Sequence, residues 1–498
     1  MARCVSSAGP RPWLRALTLW FSFFVAGAAA LRAQTRDTPP VIPREFRAAW
    51  VATVNNIDWP SRPGLPTAAA RAELDTIVAR AAELRLNALV LQVRPAGDAF
   101  YPSKLEPWSE WLTGAQGRAP DDAWDPLQHA IDACHRRGLQ LHAWFNPFRA
   151  WHHSGRSTPA QSHVLSRLPD ACVRYGNLRW MDPGDERIVR WSLAVIRDVV
   201  TRYDVDGIHV DDYFYPYPDR GKPFPDDASY ARYRDGGGSA SRGDWRRANV
   251  DAFVRDMYAM VHTVKPWVQV GISPFGIARP GLPRGIEAGV DQYEHLAADV
   301  VKWMREGWYD YVSPQLYWPI DQTKQSFAVL LPWWHQQNTR NRHVWPGLDL
   351  NRMQGDKGVR RDELLDQIGL VRAADDTTGC VLYSFKLLHG ESRSTALLRT
   401  RLWVEPALAP PSPWLGDTPP ASPDAAFARR DRLFVDWRRD PEARFVVVQV
   451  RDGGGWRTLA IVGAEVASCV VPEGTTSVAL TAISRTGIAS RTVQATAQ

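Results

Sequence analysis

The segment DGIHVDDYFYP, residues 206–216, is a short β-branched run that leads directly into two adjacent carboxylates. A strand of this kind suits a parallel sheet that is covered by helices. Alternation turns Ile208 and Val210 toward the helices and His209 and Asp211 toward the other face. Asp211 is therefore the first candidate for a reactive group, since such folds hold their chemistry at the carboxyl ends of strands. Asp212 faces the helices unless the strand ends before it, and either carboxylate could instead cap the turn.

Strand and helix patterns alternate on both sides of this segment, from residue 47 to residue 403. The other predicted strands are 47–54, 88–94, 139–146, 268–273, 311–317, 343–349 and 379–386. With the central one they make eight strands, each followed by a helical pattern. We therefore predict an α/β fold, a (β/α)8 TIM barrel. The alternative is a doubly wound open sheet, which would normally bring a glycine-rich phosphate turn after its first strand. That turn is missing here.

The predicted domains are a signal peptide, a barrel, a linker and a sandwich. Residues 1–33 carry arginines, an apolar run and small residues at Ala28, Ala30 and Ala33, which is typical of a secretory signal. Residues 34–408 form the barrel, and residues 409–423 form a proline-rich linker. Residues 424–498 show short alternating strands between turns, which predict a small all-β sandwich. We expect few contacts between barrel and sandwich.

Export agrees with the charge pattern. Four arginines and no acid lie in residues 1–33, so removing them lowers the net charge from +6 to +2. No basic run is present, and we predict no nucleic-acid partner. We expect a periplasmic or secreted protein without a transmembrane segment after signal cleavage. Export permits disulfides, so Cys134 and Cys172 could pair, although the apolar face around Cys134 favours a buried thiol.

Polar side chains gather at one end of the predicted barrel. Taking bulky aliphatic residues as outward leaves the following inward residues near the strand ends: Gln92, Arg94, Asn146, Asp211, Ser273, Gln315, Tyr317, Asp349, Ser384 and Lys386. Branched apolar residues normally fill the barrel below this level, so the set is better evidence than any one member. His209 lies deeper and is predicted to be a hydrogen-bonded core residue.

This chemistry fits glycoside hydrolysis, in which one carboxyl protonates the leaving oxygen and another acts as nucleophile or base. Twenty-three tryptophans supply flat apolar surfaces for sugar rings. Asp211 is the primary catalytic carboxylate, and Arg94 beside it would keep it ionised. Asp212 and Asp349 are the main candidates for the second carboxyl, with Asp58 and Asp98 as alternatives. No spacing typical of a metal or cofactor site occurs, and we predict neither group.

Six stretches of the chain match motifs of a known family: residues 45–54 (EFRAAWVATV), 87–101 (NALVLQVRPAGDAFY), 142–147 (HAWFNP), 180–184 (WMDPG), 206–216 and 311–318. On these motifs the chain resembles glycosyl hydrolase-like family ten, a set of exported bacterial proteins. It implies a glycosidase-like barrel followed by a fibronectin type III-like domain. It also implies cleavage of peptidoglycan glycan strands that lack stem peptides, with Tyr213 and Trp318 near the substrate. Contact with cell-division or envelope proteins would then fall to the C-terminal domain.

Residues 206–213 are also similar to the chitinase-type DGxDxDxE strand. Tyr213 stands where that strand has its catalytic glutamate, so the chitinase acid cannot be carried over. Tyr317 resembles the tyrosine that steadies an N-acetyl group in those enzymes, which leaves substrate-assisted chemistry open beside retaining and inverting routes. Two other classes stay open: a non-catalytic protein that binds cell-wall glycans, and a scaffold that acts through its C-terminal sandwich.

Overall fold

The computed structural model describes residues 38–219, 221–353, 362–374, 378–429, 431–438 and 440–496, so the predicted signal peptide lies outside the described residues. The predicted (β/α)8 barrel is confirmed. Its strands are β1 (Phe46–Val51), β2 (Ala88–Arg94), β3 (Gln140–Phe145), β4 (Gly207–Val210), β5 (Gln269–Ile272), β6 (Tyr311–Val312), β7 (His343–Val344 continued by Gly347–Asp349) and β8 (Gly379–Tyr383).

Every neighbouring pair of these strands is parallel, and β8 pairs with β1, so the sheet closes on itself. The closure passes through β7, which is interrupted at Trp345 and Pro346. Its first part pairs with β6 and its second part with β8. Because Pro346 has no backbone N–H to give to a ladder, the interruption is expected there.

Helices cover the outside of the barrel. They are α1 (Thr67–Glu83), α2 (Pro126–Arg136), α3 (Glu186–Arg202), α4 (Arg242–Val264), α5 (Val300–Glu306), α6 (Phe327–Gln337), α7 (Glu363–Ala374) and α8 (Arg393–Leu397). The α1 helix buries Leu74, Ile77, Val78 and Ala81, which recur at helical spacing. Asp125 caps α2 by accepting from two backbone N–H groups, with a proline at the first helical position.

Aromatic and imidazole side chains fill much of the lower barrel interior, together with a few aliphatics such as Val90 and Val381. His209 is fully buried, and its Nε2 accepts from the Trp50 indole at 3.1 Å. Because an indole only donates, the proton of the neutral ring lies on Nδ1, which faces the Tyr311 hydroxyl at 3.0 Å. The same hydroxyl lies 2.8 Å from His142 Nδ1. His209 is therefore a hydrogen-bonded core residue, and Gly271 leaves the space that the Tyr311 ring occupies.

Two antiparallel sheets form the C-terminal domain. One sheet has three strands and the other has four. The strands are β9 (Ala425–Arg429), β10 (Leu433–Trp437), β11 (Ala443–Asp452), β12 (Gly455–Gly463), β13 (Ser468–Val470), β14 (Ser477–Ser484) and β15 (Val493–Thr496). Five of these were predicted, and β9 and β15 were not. Alternate residues of β10, namely Leu433, Val435 and Trp437, are buried in the core between the sheets.

The expectation of few contacts between the two domains is wrong. Ser412, within the predicted linker, is fully buried and bonds to Gln269 at 2.7 Å and to His343 at 3.0 Å. Arg444 of the sandwich forms an ion pair with Asp206 of the barrel. Asp206, Gln269 and His343 stand at the amino ends of their strands, so the sandwich covers the lower end of the barrel.

Two further sequence expectations concern cysteines and membrane spans. Cys134, Cys172, Cys380 and Cys469 are free thiols, so Cys134 and Cys172 do not pair. Within the part of the chain that the structure describes, no helix has both the length and the apolar character needed to cross a membrane.

Candidate active site

Two adjacent carboxylates stand at the end of β4. The strand stops at Val210, so Asp211 and Asp212 follow it in the turn, and each is only 3% exposed. Both line a cavity of about 290 Å³ at the carboxyl end of the barrel. The strand therefore ends before Asp212, which was the alternative left open by the sequence, and period-two alternation does not apply there.

Asp211 is held by three donors. The Trp144 indole donates to its Oδ2 at 3.1 Å, and the Asn146 amide donates to the same oxygen at 3.3 Å. The backbone N–H of Tyr213 donates to Oδ1 at 3.4 Å. Trp144 and Asn146 stand at the carboxyl end of β3, so the neighbouring strand fixes this carboxylate.

Asp212 is held from the loop that follows it. The Tyr217 hydroxyl donates to its Oδ2. The Gln315 amide, beyond β6, donates to the carbonyl oxygen of Ser273 at 3.0 Å and also stabilises the ionised form of Asp212. The two carboxylates thus have separate supports, one from β3 and one from the loops after β4 and β6.

Burial raises the pKa of Asp211 to about 7, and the neighbouring charge of Asp212 adds to the rise. The Arg149 guanidinium and the Trp144 hydrogen bond oppose it. Burial likewise raises the pKa of Asp212 to about 6, against hydrogen bonds from Tyr217 and Gln315. The pair therefore exchanges protons near neutral pH, where one carboxyl can donate a proton while the other stays ionised.

Aromatic rings and one amide complete the wall. The rings belong to Trp50, Trp144, Tyr213, Tyr317 and Tyr383. Gln92 accepts at Oε1 from the backbone N–H groups of Thr53 and Val54, at 3.1 and 2.9 Å. Its Nε2 is buried and finds no acceptor among the described residues. Since its oxygen is fixed by two donors, the amide nitrogen is available to a ligand oxygen.

The structure gathers most of the predicted site residues and leaves others outside. Lining the cavity are Gln92, Asp211, Asp212, Tyr213, Ser273, Gln315 and Tyr317. Asn146 is completely buried and touches Asp211 from behind. Trp318 packs edge-on against Phe275 and does not line the cavity. Ser384 bonds to Asp58 at 2.6 Å, and the Lys386 side chain is exposed, so neither belongs to the wall.

Arg94 does not serve Asp211 as predicted. It is fully buried, and its guanidinium binds Glu106 at 2.5 and 2.8 Å. The remaining nitrogen donates to the carbonyl oxygens of Asn146 and Pro147. A long side chain whose Cβ points inward can still reach sideways to a loop. No local pattern identifies Glu106 as its partner, because Glu106 lies in the loop after β2.

Asp349 is also outside the cavity. Its Oδ1 accepts from the backbone N–H of Asn351 at 2.9 Å, and its other oxygen lies 3.5 Å from Arg352. Its carboxylate caps the turn after β7. Burial is the main cause of the raised pKa of Tyr317, and the nearby Asp349 carboxylate adds to it.

Sequence reasoning missed several cavity residues, chiefly Arg149 and His152. Both lie in the loop after β3, where Arg149–Trp151 pairs with Leu178–Met181 and folds back over the barrel mouth. Loop residues follow no strand or helix period, so parity cannot place them. The one feature in the sequence that could have identified Arg149 is its position, as a basic residue four positions after the end of β3.

A closed parallel barrel whose mouth holds a buried carboxylate pair between aromatic walls is a glycosidase-like barrel. The chain belongs to the family described as glycosyl hydrolase-like 10, whose model matches residues 45–357. It is 37% identical over 400 residues to "Glycosyl hydrolase YngK" of Bacillus subtilis, covering 78% of each chain. It is 32% identical over 368 residues to "Glycosyl hydrolase DigH" of Escherichia coli, covering 68% of this chain and 82% of that protein. The predicted family and the predicted enzyme class, glycoside hydrolase, are confirmed.

Proposed function

We propose that the protein is an exported hydrolase of β-linked glycans, that its substrate is peptidoglycan strands lacking stem peptides, and that Asp211 and Asp212 carry the reaction. The observation that carries the proposal is the adjacent carboxylate pair, which is buried, faces a cavity and titrates near neutral pH. Hydrolysis of a glycosidic bond needs one protonated and one ionised carboxyl at the same moment. The pair offers both.

The aromatic walls support a sugar substrate. Trp144 and Tyr213 line the cavity beside the carboxylate pair, and Tyr317 stacks on Tyr383 with ring centroids 5.8 Å apart. Apolar ring faces bind the apolar faces of pyranose rings, while the free Gln92 amide can donate to a hydroxyl or carbonyl oxygen. The choice of peptidoglycan as the glycan rests on the resemblance of the family motifs.

The two carboxyls also favour a substrate-assisted route. Among the described residues that line the cavity, Asp211 and Asp212 are the only acids, and they are adjacent on one strand end. In this route the acetamido oxygen of the substrate attacks the anomeric carbon while the protonated aspartate gives its proton to the leaving oxygen. The ionised aspartate holds the acetamido N–H. Water then opens the oxazolinium ring and returns a proton to the pair, which restores the acetamido group.

The test uses the purified mature chain and glycan strands from which an amidase has removed the peptides. Mass spectrometry should show products that have gained one water per cleavage. Asp211→Asn should bind the same strands and release no product within the same time. If wild-type protein binds strands of any β-linked glycan and never cleaves one, the glycan-binding alternative is correct.

The substrate-assisted route has its own test. Replacing the N-acetyl group of a substrate by N-trifluoroacetyl makes the carbonyl oxygen a poorer nucleophile. The rate should then fall steeply, with a much smaller change in binding. An equal rate for both substrates would contradict participation by the substrate.

Export is tested by fractionating cells that produce the full chain and sequencing the amino terminus of the mature protein. Cleavage after Ala28, Ala30 or Ala33 is the expected result. A protein that keeps its first residues and stays inside the cell would contradict the proposal.

A further inference from the structure

Arg149 is a buried cation in the wall of the active-site cavity. It is 6% exposed and begins the short loop strand Arg149–Trp151 over the barrel mouth. Its backbone N–H donates to Asn146 at 2.8 Å, and its Nε donates to the carbonyl oxygen of Pro95 at 3.0 Å. The guanidinium carbon lies 5.4 Å from the centroid of the Tyr213 ring. The side chain is therefore fixed in place.

The two terminal nitrogens of this guanidinium have no partner among the described residues. The side-chain hydrogen bond of Arg149 uses Nε, and no described hydrogen bond or ion pair within 4.0 Å uses either terminal nitrogen. Other buried arginines of this protein are paired: Arg94 binds Glu106, and Arg444 binds Asp204 and Asp206. Arg149 differs from them because its open side meets the cavity.

The terminal nitrogens of Arg149 face the cavity, where water can reach them. A ligand that fills the cavity displaces this water and should therefore supply acceptors to them. A planar fork of two N–H groups is best matched by a carboxylate, which accepts two parallel hydrogen bonds. A sugar hydroxyl is neutral and does not present two oxygens to the fork. The chemistry of the site therefore favours an anionic sugar over a neutral one.

His152, three residues further along, is a second donor in the same wall. Its Nδ1 accepts from the backbone N–H of Ser154 at 3.2 Å, so in the neutral ring the proton lies on Nε2. Burial and the Arg149 charge lower the pKa of His152 to about 3, which keeps it neutral at the pH where the aspartates titrate. It can donate to an anion without adding charge to the cavity.

We propose that Arg149, assisted by His152, forms a subsite that recognises a carboxylate carried by a sugar bound next to Asp211 and Asp212. The proposal rests on the proposed glycan-hydrolase function and adds a selection rule to it. In peptidoglycan the lactyl carboxyl is tied up as an amide while a stem peptide is attached. Removing the peptide frees the carboxylate, so this subsite would select stripped strands by charge.

The experiment compares three forms of one strand preparation. The first is peptide-free strands, and the second is the same strands after carbodiimide coupling to methylamine, which replaces each carboxylate by a neutral amide. The third is a chitin oligomer of equal length, which carries no carboxylate. For wild-type protein, kcat/KM should fall at least about tenfold from the first to the second.

Arg149→Gln should abolish this preference, bringing the two strand forms to within about twofold of each other. Arg149→Lys keeps the charge without the planar fork and should restore part of the preference. Arg167→Gln removes an exposed arginine from the same segment between β3 and α3, and it should keep the full wild-type preference. Circular dichroism melts of each variant separate these effects from misfolding.

If Arg149→Gln slows both strand forms by the same factor, the arginine only adjusts the acidity of the aspartates, and the subsite is wrong. If wild-type protein cleaves the methylamide and carboxylate strands equally, the subsite is also wrong while the hydrolase proposal stands. Failure to cleave any of the three substrates would overturn the hydrolase proposal itself. In that case, binding of the three forms, measured by calorimetry, still tests the subsite.

A uronic acid could supply the same carboxylate as a lactyl group. An oligosaccharide of alternating N-acetylglucosamine and glucuronate separates these two sources. Wild-type binding of this oligosaccharide that Arg149→Gln loses would support a general sugar-carboxylate subsite. Selective binding of peptide-free strands alone would narrow it to the lactyl group.

Discussion

Arg444 of the sandwich places its guanidinium Nε 3.0 Å from a carboxylate oxygen of Asp206, the residue that precedes β4. The Arg444 and Asp206 side chains are 6% and 3% exposed. His135 and the backbone N–H of Leu141 bind the other oxygen, each at 2.8 Å. The strand that carries Asp211 and Asp212 at its upper end is thus held at its lower end by the other domain.

Arg444→Met should destabilise the protein by about 3–5 kcal/mol, because it leaves a buried carboxylate without its cation. Although burial opposes it, the Arg444 charge and the His135 hydrogen bond hold the pKa of Asp206 well below its usual range. A depressed pKa gives stability that is present above the unfolded value and is lost as the pH falls below it. Denaturant titrations should therefore show the largest loss at neutral pH and a smaller one below about pH 4.

The matched control is Arg429→Met, which removes an exposed pair with Glu473 from the same domain. Its melting curve should coincide with that of wild type. A fragment that ends at residue 408 should melt at a lower temperature than the whole chain, because it also loses Arg444 and Ser412. If the fragment melts at the same temperature, the interface contributes no stability.

Asp211→Asn and Asp212→Asn should each lower kcat by about 10²–10⁴-fold while KM changes little, because each removes a group that acts in the transition state. Steady-state rates on peptide-free strands measure this. Asp349→Asn is the control, since Asp349 caps a turn outside the cavity, and its rate should stay within about threefold of wild type. A large loss in Asp349→Asn would restore Asp349 as the second carboxyl.

The aspartate pair should also cost the protein stability as the pH rises. A raised folded-state pKa means that the native protein binds more protons than the unfolded chain between about pH 4 and pH 7. Stability contributed by the neutral forms is therefore lost across that window. Asp211→Asn should be more stable than wild type at pH 8 by about 1–3 kcal/mol and nearly equal to it at pH 4. An equal difference at both pH values would contradict this.

Substitutions of Arg149 and Arg94 should have different effects, one on the pH–rate profile and the other on the stability of the fold. Arg149→Gln removes a cation that lowers the pKa of Asp211 and Asp212, so both limbs of the pH–rate profile should move to higher pH. Arg94→Met should leave the profile in place and destabilise the fold by about 3–5 kcal/mol, since Glu106 would stay buried without its cation. A shifted profile in Arg94→Met would revive the sequence-based role of Arg94.

Alternation and the turn signals predicted the eight strands and the position of Asp211, because both depend on local periodicity. The direction of Asp212 stayed open because the sequence does not reveal that the hydrogen-bonded ladder of β4 ends at Val210, directly before Asp211 and Asp212. The role of Arg94 was predicted wrongly because its partner, Glu106, lies in a loop. Arg149 was missed because it lies in a loop itself, where no strand or helix period applies. Arg444 finds its partner in another domain, and no local pattern carries that information.

The described residues before β1 contact the sandwich, where the Gln449 amide donates to the carbonyl oxygen of Pro40 at 2.8 Å. The last described strand, β15, also belongs to the sandwich. Both ends of the described chain therefore lie on the sandwich, at the opposite end of the barrel from the cavity. A tether attached to either end would hold the protein by the sandwich, with the cavity at the carboxyl end of the barrel facing away from the attachment point. A long glycan strand could then move across the barrel mouth and be cut repeatedly without meeting the tether.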